Sequence, residues 1–295
     1  MRKLLALCLL LCLLAGCAQP QPQTTAPSQT ETEYLAVHFI DVGQADCALL
    51  VCGDEAMLID GGNAADGGDV RRYLEFLGIE KLNLVVGTHS HEDHIGGLAT
   101  VLRHIEAETI WISAFTYSNY TVENFLDAAA DQNTPVTEVD PGETYTLGGA
   151  EITVLGPVQT GYEDVNDLSL VLMVQFGETK FLFTGDMEQL AEGHMLDYWG
   201  EDFDWHADVL KIGHHGSYSS SGYRLLREVA PTWGIISCGY QNEYGHPHDS
   251  TLSRLRDAEV TIFRTDLAGT VIAATDGETL AFSWTNPSYS PYIPQ

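Results

Sequence analysis

The stretch THSHEDHIGG, residues 88–97, constrains this chain most, because it crowds three histidines and two acids into six positions. It directly follows the apolar run LNLVVG, a pattern typical of a buried strand. Imidazole and carboxylate groups are costly in apolar surroundings unless they are paired or bind a metal ion. Gly96 and Gly97 let the backbone turn sharply and keep side chains out of the way. The stretch therefore predicts a metal site at the end of a strand.

The spacing within the stretch indicates two ligand positions. His89 and His91 are two residues apart, so on an extended loop both can reach one point. Asp93 and His94 come at the next turn and can reach a second point nearby. Imidazole and carboxylate together suit Zn²⁺, Mn²⁺ or Fe. The alternative is a solvated loop with chance histidines, which fits poorly because three of the eleven histidines fall in six residues.

The N-terminus has the pattern of an export signal. MRKLLALCLLLCLLAGC opens with two basic residues and continues with an apolar run that is short for a membrane span. Its last four residues resemble the lipobox of bacterial lipoproteins. That resemblance implies a signal peptide at 1–16 and a lipid on Cys17, which would anchor the chain at the extracellular face of the cell membrane. The alternative is an ordinary signal peptide with a chance cysteine.

The remaining chain divides by composition. Residues 17–33 are rich in Pro, Gln and Thr and predict a flexible tether. Residues 34–285 alternate strand and helix patterns and predict one folded domain, with a β-hairpin whose tip is 177–178. The order is β-rich, α/β, β-rich and α/β again, which suggests two stacked sheets with helices outside. Residues 286–295 contain three prolines and no pattern, and predict an unstructured tail.

The net charge limits the possible ligands, and the cysteine content limits the possible disulfide bonds. The formal net charge of −29 disfavours binding to bulk nucleic acid, which normally rests on Lys and Arg. Cys47, Cys52 and Cys238 remain after the signal peptide and Cys17 are set aside. Because three cysteines cannot all pair within the chain, the sequence predicts no disulfide framework, and buried free thiols are expected.

The sequence HSHEDH fits H-x-H-x-D-H, and on this motif the chain resembles the metallo-β-lactamase fold superfamily from about residue 34 to 284. The resemblance implies an α/β fold, a four-layer αββα sandwich. It also implies that Asp60 of LIDGG orients the metal-binding loop. Asp186 of FLFTGD stands where a carboxylate bridges two metals. His214 and His215 of VLKIGHHGS follow, and one of them would complete the second metal's ligands.

A narrower resemblance is to the hydrolase domain of ComEC-type competence proteins and to related phosphorylcholine esterases. It rests on VHFIDVGQAD, NDLSLVL, TGD, LKIGHHGS and YGHPH, although Ala45 replaces the second glycine of the usual V-G-Q-G-D. One departure is that 105–185 contain no His, where many superfamily members supply a further ligand to the first metal. Asn166 and Asp167 of VNDLSL stand where that ligand would come from. A site richer in carboxylates would favour Mn²⁺ relative to a pure His site.

The resemblance implies two divalent metal ions, with Zn²⁺ the first expectation and Mn²⁺ the alternative. One ion would be held by His89, His91 and Asp186, and the other by Asp93, His94, Asp186 and His214. Two cations lower the pKa of a shared water and produce hydroxide near neutral pH. Asp93 is a candidate proton acceptor, and His248 a candidate donor to the leaving group. His215, Ser217 and His246 are expected on the substrate side.

Three functions remain open at this point. The first is a phosphodiesterase, either nuclease-like or acting on a small or zwitterionic ester such as a phosphorylcholine group. The second is hydrolysis of a lactam, lactone or thioester by the same metal chemistry. The third is a non-catalytic lipoprotein that binds a metal or a ligand. The expected partners are a phosphoester substrate and, through Cys17, a membrane; the sequence indicates no protein partner.

Overall fold

Two β-sheets packed face to face form the centre of the protein, as seen in a computed structural model that describes residues 34–114 and 119–295. The predicted signal peptide at 1–16, the lipidation site Cys17 and the tether that follows it up to 33 lie outside the described residues. The described residues therefore cover the predicted hydrolase domain and the tail.

The first sheet has eight strands and comes from the N-terminal half plus the last two strands of the chain. Its spatial order is β17-β16-β1-β2-β3-β5-β7-β8. The strands are β1 Leu35–Phe39, β2 Ala48–Cys52, β3 Glu55–Ile59, β5 Leu84–Gly87, β7 Ile110–Ile112, β8 Val136–Glu138, β16 Val271–Thr275 and β17 Leu280–Trp284. Two short strands, β4 Lys81–Leu82 and β6 Glu106–Ala107, pair separately.

The second sheet has seven strands in the order β15-β14-β13-β12-β11-β10-β9. The strands are β9 Thr144–Leu147, β10 Ala150–Gly156, β11 Val171–Phe176, β12 Thr179–Phe183, β13 Val209–Lys211, β14 Trp233–Ile236 and β15 Thr261–Arg264. β11 and β12 pair antiparallel around Gly177, whose φ of 59° is the left-handed conformation that favours glycine. The predicted hairpin at 177–178 is confirmed.

Helices cover the outer face of each sheet. The helices are α1 Gly67–Phe76, α2 Glu92–Ile95, α3 Leu98–Leu102, α4 Tyr120–Gln132, α5 Gln189–Trp199, α6 Tyr223–Val229, α7 Asp249–Asp257 and α8 Thr265–Ala268. One apolar core lies between the sheets, a second packs α1, α3 and α4 on the first sheet, and a third packs α5, α6 and α7 on the second. The predicted four-layer αββα sandwich is confirmed.

The strands carry continuous apolar runs, and these bury both faces of each sheet. In β2, Leu50 contributes to the core between the sheets, whereas Leu49 packs against the helices. In β12, Phe181 and Phe183 face the other sheet, and Leu182 faces the helices. Successive side chains of a strand point to opposite faces, so apolar runs without alternation belong in a sheet covered on both sides.

The C-terminal residues 286–295 are ordered against the sandwich, so the prediction of an unstructured tail is wrong. Tyr292 exchanges backbone hydrogen bonds with Ile262, and Tyr289 is buried with its hydroxyl donating to the Ile262 carbonyl. The prolines break any repeating pattern, so the sequence shows no strand or helix there. The aromatic side chains nevertheless bury enough surface to dock the segment.

In the described part of the chain, no helix is both long enough and apolar enough to cross a membrane. The side chains of Cys47, Cys52 and Cys238 are buried, as predicted for the three thiols.

Candidate metal centre

The histidine-rich stretch lies where β5 ends and the short helix α2 begins. His91 is the N-cap of α2 and has extended backbone, which places His89 in the bend just before it and Asp93 and His94 on the first helical turn. His94 is fully buried, and its carbonyl accepts a hydrogen bond from the Gly61 N–H at 2.7 Å. The loop after β3 and the ligand loop are therefore joined backbone to backbone.

Gly97 has a steric reason to be glycine. A Cβ at this position would lie 2.0 Å from the Gly61 carbonyl oxygen, and the Gly97 N–H donates to the Gly62 carbonyl at 2.9 Å. Only a residue without a side chain permits this approach. The close packing fixes where α2 and α3 start relative to the loop at 60–62.

Asp60 anchors the ligand loop by hydrogen bonds to Thr88 and His94. Its two carboxylate oxygens accept from the Thr88 N–H at 2.9 Å, the Thr88 hydroxyl at 2.7 Å and His94 Nδ1 at 2.8 Å. Burial raises the pKa of Asp60, although the neighbouring His94 opposes that rise. A carboxylate that accepts from Nδ1 turns Nε2 of His94 toward the centre. The position agrees with the orienting contact predicted for Asp60.

His89, His91 and Asp186 form the first potential ligand group, and one ligand atom from each lies within 4.8 Å of the others. His89 Nε2 is 3.0 Å from His91 Nδ1 and 3.9 Å from Asp186 Oδ2. Burial and the nearby His94 hold the pKa of His89 well below its ordinary value. A neutral imidazole is the form that binds a metal.

The second group contains Asp93, His94, Asp186 and His215. His215 Nε2 is 3.2 Å from Asp93 Oδ2 and 3.6 Å from Asp186 Oδ2. Burial alone would lower the pKa of His215, but the carboxylates of Asp186 and Asp46 raise it to about 10. Asp186 belongs to both groups; that it bridges two metals stays a prediction.

His214 is the residue predicted for the second group, and the structure places its neighbour His215 there instead. His214 Nε2 lies 3.7 Å from Asp186 Oδ2, but its Nδ1 faces Glu188 at 3.3 Å and the side chain is 23% exposed. Both histidines have positive φ, 49° and 53°, so the turn points the two rings in different directions. Sequence spacing alone does not show which ring such a turn directs inward.

Asp46 and Lys211 form a buried ion pair beneath His215. Lys211 Nζ lies 2.7 Å from Asp46 Oδ2, and His215 Nδ1 lies 3.2 Å from Asp46 Oδ1 and 3.1 Å from the Ser237 carbonyl. Burial alone would raise the pKa of Asp46, but Lys211 and His215 hold it below its usual value. The Asp46 N–H also donates to the Asp93 carbonyl at 3.1 Å, so Asp46 joins both sides of the centre.

The donor set fits divalent cations. His94 Nε2 and Asp186 Oδ1 are both buried and lie 3.2 Å from each other. Neither atom has a hydrogen-bond partner among the described residues. Buried polar atoms are otherwise almost always paired. A histidine nitrogen and a carboxylate oxygen this close together can coordinate one cation, and both are ligand types that Zn²⁺ and Mn²⁺ bind.

A cavity of about 520 Å³ opens over the two groups. Asp93, Asp186, His215 and His246 are among its lining residues, whereas His248 is not. His248 Nδ1 accepts from the Tyr218 N–H at 3.0 Å, outside the cavity lining. The structure therefore does not bring the predicted proton donor His248 to the cavity, and brings its neighbour His246 there.

Ser217 belongs to a polar loop at 217–222 that supports the His214–His215 turn. Its N–H donates to the His214 carbonyl at 2.7 Å, and its hydroxyl is 2.9 Å from that of Ser219. The sequence leaves open whether this loop binds an anion or only caps a helix. Glu192 already accepts from the N–H groups of Ser221 and Gly222, at 2.5 and 2.9 Å, which favours the structural alternative.

Asn166 is buried, and its Oδ1 has no hydrogen-bond partner within the described residues. It is three residues before Ser169, whose hydroxyl accepts from the Asp186 N–H at 3.0 Å and lies 3.3 Å from His89 Nδ1. The segment therefore reaches the first group through Ser169. Whether Asn166 completes a ligand set stays a prediction.

Several contributors to the site were missed in the sequence. Gln44 and Asp46 stand in VGQAD and Ser169 in NDLSLVL, motifs that served only for the resemblance. Lys211 had a signal of its own, because a charged residue in the apolar strand VLKIG needs a buried partner. Glu192 had no such signal, since it follows an ordinary helical pattern.

The chain belongs to the metallo-β-lactamase superfamily, whose family model matches residues 40–240. Within the superfamily it is similar to ComEC-type competence proteins. It is 30% identical over 253 residues to ComE operon protein 3 of Bacillus subtilis, covering 80% of this chain and 32% of that protein. It is 29% identical over 262 residues to Recombination protein 2 of Haemophilus influenzae, covering 87% and 31%. The chain thus spans about a third of the length of these relatives.

Solved structures show the same fold at low sequence identity. The metallo-β-lactamase fold protein YhfI of Bacillus subtilis superposes with a TM-score of 0.54 at 14% identity, covering 82% of this chain and all of that one. CmlA of Streptomyces venezuelae, a diiron β-hydroxylase, superposes with a TM-score of 0.50 at 16% identity, covering 78% and 52%.

Proposed function

We propose that this protein is a metal-dependent phosphodiesterase that hydrolyses small or chain-terminal phosphodiesters. The observation that carries the proposal is the pair of ligand groups sharing Asp186 at the floor of an open cavity. The similarity to ComEC-type proteins supports phosphoester chemistry over other hydrolytic reactions. Two divalent ions bound there would polarise the phosphoryl oxygens and lower the pKa of a water molecule.

The side chains of the site divide the remaining work. His89, His91, His94 and His215 offer ring nitrogens, which would bind a metal ion in their deprotonated form, and Asp186 offers a carboxylate shared by both groups. Asp93 is partly exposed at the cavity; burial alone would raise its pKa, but His215 and His94 lower it to about 2. Asp93 is therefore ionised at neutral pH. Its carboxylate can accept a hydrogen bond from the attacking water beside the phosphorus and take up a proton from it.

The cavity wall favours a substrate with little negative charge beyond the reacting diester. Glu92 and Glu243 line it, and no Lys or Arg does so among the described residues. Lys211, which lies beneath His215, is already paired with Asp46. Since a long nucleic acid relies on Lys and Arg contacts to its phosphates, a small diester, a chain end or a choline phosphate suits this wall better.

The test is metal content together with hydrolysis of bis(p-nitrophenyl) phosphate and p-nitrophenyl phosphorylcholine. We expect about two metals per chain in the wild-type protein and turnover of at least one ester. Asp186→Asn keeps the shape but removes the shared charge, and should lower kcat/KM on the order of 10³-fold. Asp197→Asn, a matched change on the exposed face of α5, should leave turnover unchanged.

Each other result has a definite meaning. Turnover of a lactam or lactone but of neither phosphoester would transfer the assignment to that class of bond. Bound metal without turnover of any ester or amide would make the protein a metal- or ligand-binding lipoprotein. Protein that binds no metal after incubation with Zn²⁺ or Mn²⁺ would overturn the metal centre itself.

We also propose that the domain is displayed outside the cell on a lipid attached to Cys17, with 17–33 as its tether. The support is the pattern of the N-terminal sequence alone. Labelling cells with an alkyne fatty acid should mark the wild-type protein but not Cys17→Ser, and Cys17→Ser should move from the membrane fraction to the medium or periplasm. Equal labelling of both proteins would refute the anchor.

A further inference from the structure

We propose that Gln44 fixes His246 in the tautomer that carries its proton on Nε2, so that His246 donates a hydrogen bond to the substrate in the cavity. The inference rests on the proposed function for the identity of that substrate, a phosphoester. Gln44 is then a positioning residue and His246 the residue that touches substrate. Both stand in motifs, VGQAD and YGHPH, that the ligand groups leave unexplained.

The orientation of the Gln44 amide is fixed by a peptide group. The Gly239 N–H can only donate, and it lies 3.0 Å from Gln44 Oε1. The other end of the amide, Nε2, is therefore the NH₂ group, which can only donate, and it lies 3.2 Å from His246 Nδ1. His246 Nδ1 must accept this bond, so the proton of the neutral ring is on Nε2.

The backbone and ring of His246 are held from several sides. Its N–H donates to Asn242 Oδ1 at 3.0 Å, and Asn242 Nδ2 donates back to the His246 carbonyl at 2.6 Å. Tyr244 stacks on the ring at 5.7 Å between centroids, and His248 meets it edge-on at 4.8 Å. Rotation that would exchange Nδ1 and Nε2 is opposed by all of these contacts.

The His246 ring lies beside the potential metal ligands. His246 is 9% exposed and lines the cavity, and its ring centroid is 5.5 Å from that of His214 and 6.1 Å from that of His215. Within the described residues, Nε2 makes no hydrogen bond of its own. Phosphoryl oxygens accept and never donate, so a fixed N–H at this position complements the charge that grows on them during hydrolysis.

The experiment reads the tautomer directly, without relying on turnover. Zinc-loaded protein labelled with ¹⁵N-histidine is studied by long-range ¹H–¹⁵N correlation spectra, with His246 assigned from His246→Gln. The wild type should show protonated Nε2 and unprotonated Nδ1 at His246, and the Nε2 signal should shift when inorganic phosphate is added. In Gln44→Glu the carboxylate can only accept, so the proton should move to Nδ1.

Kinetics separate positioning from general damage. Gln44→Glu should lower kcat for bis(p-nitrophenyl) phosphate on the order of 10²-fold with a smaller change in KM, the size expected for loss of one fixed donor. Gln241→Glu introduces the same charge at an exposed position of the loop that carries His246, and should leave both the spectrum and kcat unchanged.

Two outcomes overturn the inference. One is a wild-type spectrum with the proton on Nδ1, and the other is an unchanged His246 tautomer in Gln44→Glu. If the wild type shows the expected tautomer and phosphate shift but hydrolyses no phosphodiester, the proposed function fails while the role of Gln44 stands.

Discussion

The two sides of the metal centre are built in different ways. On the N-terminal side, 88–97, the ligands sit at the start of a helix on ordinary backbone, and tight glycine packing sets their position. On the C-terminal side, 213–222, His214, His215 and Ser221 have positive φ, and polar side chains hold the turn. Non-glycine residues in this conformation cost about 1–3 kcal/mol each, so they persist only where surrounding contacts enforce them.

The enforcing contacts on the C-terminal side come from two helices. Arg254 of α7 donates to the carbonyls of Ser220 and Ser221, at 2.7 and 2.9 Å, while Glu192 of α5 accepts N–H groups from the same loop. Ser221 Oγ then accepts from the Gly213 N–H at 3.1 Å, directly before His214. Close glycine packing and the hydrogen bonds of Asp60 therefore position one set of ligands, whereas a buried polar network that holds a left-handed turn positions the other. Four substitutions test this contrast.

Gly97→Ala should have the largest effect, because its Cβ would meet the Gly61 carbonyl oxygen at 2.0 Å and backbone would have to move. We expect the free energy of unfolding to fall by about 4 kcal/mol or more, measured by urea denaturation. Gly68→Ala is the control: its Cβ would have Arg72 Nη1 as nearest neighbour at 3.6 Å, and alanine should stabilise helix α1 by up to about 1 kcal/mol. Equal stability of the two variants would refute the packing argument.

Asp46→Asn should cost about 3 kcal/mol of unfolding free energy, since it leaves the buried Lys211 ammonium without a counter-charge. It should also weaken zinc binding about 10- to 100-fold, because His215 loses an orienting carboxylate. Adding Lys211→Met should recover the stability but not the zinc affinity, as measured by competition with a chelator. Recovery of both would mean that Asp46 acts on the fold alone.

Glu192→Gln should alter how stability depends on pH. Burial raises the pKa of Glu192 to about 7, although the Ser221 and Gly222 N–H groups and Arg254 favour its charged form; Asp167 adds to the rise. Between its unfolded pKa and about 7 the folded chain holds more protons, so stability is greatest at low pH and falls as pH rises through this window.

The glutamine variant lacks this titration, so its stability relative to wild type should rise by roughly 2 kcal/mol between pH 5 and 8. Urea denaturation at each pH measures the difference, and Glu201→Gln on an exposed turn should give a constant offset. A constant offset for Glu192→Gln as well would contradict the raised pKa.

Ser221→Ala should have the smallest effect, about 1 kcal/mol, because it removes one hydrogen bond to the Gly213 N–H. Ser220→Ala is the matched comparison, since the buried Ser220 hydroxyl has no partner among the described residues and its removal should be nearly neutral. Thermal unfolding of both variants resolves this difference. A larger loss in Ser220→Ala would mean that the loop is held differently.

Prediction from sequence succeeded where the signal is local and failed where it is not. The ligand stretch, the β11–β12 hairpin and the layered fold all follow from periodicity and motif spacing. The sequence left open which of His214 and His215 is a ligand, and the structure groups His215 with Asp93, His94 and Asp186. It also places His246 rather than His248 in the cavity lining, because a left-handed turn and a loop anchored by Gln44 set the directions of these rings. The tail was missed since its contacts with Ile262 lie far away in sequence.

The sequence by itself indicated two stacked sheets with helices outside and candidate metal ligands at 89–94, because apolar periodicity and ligand spacing are properties of neighbouring residues. The metallo-β-lactamase sandwich followed from the resemblance of its motifs to that superfamily. Only the tertiary structure decided which histidines from the second half join the candidate ligands at 89–94. That choice depends on Asp46 and Gln44, which contact their histidines across about 170 and 200 positions of chain. Such contacts exist only after the two sheets have packed, so no local pattern can record them.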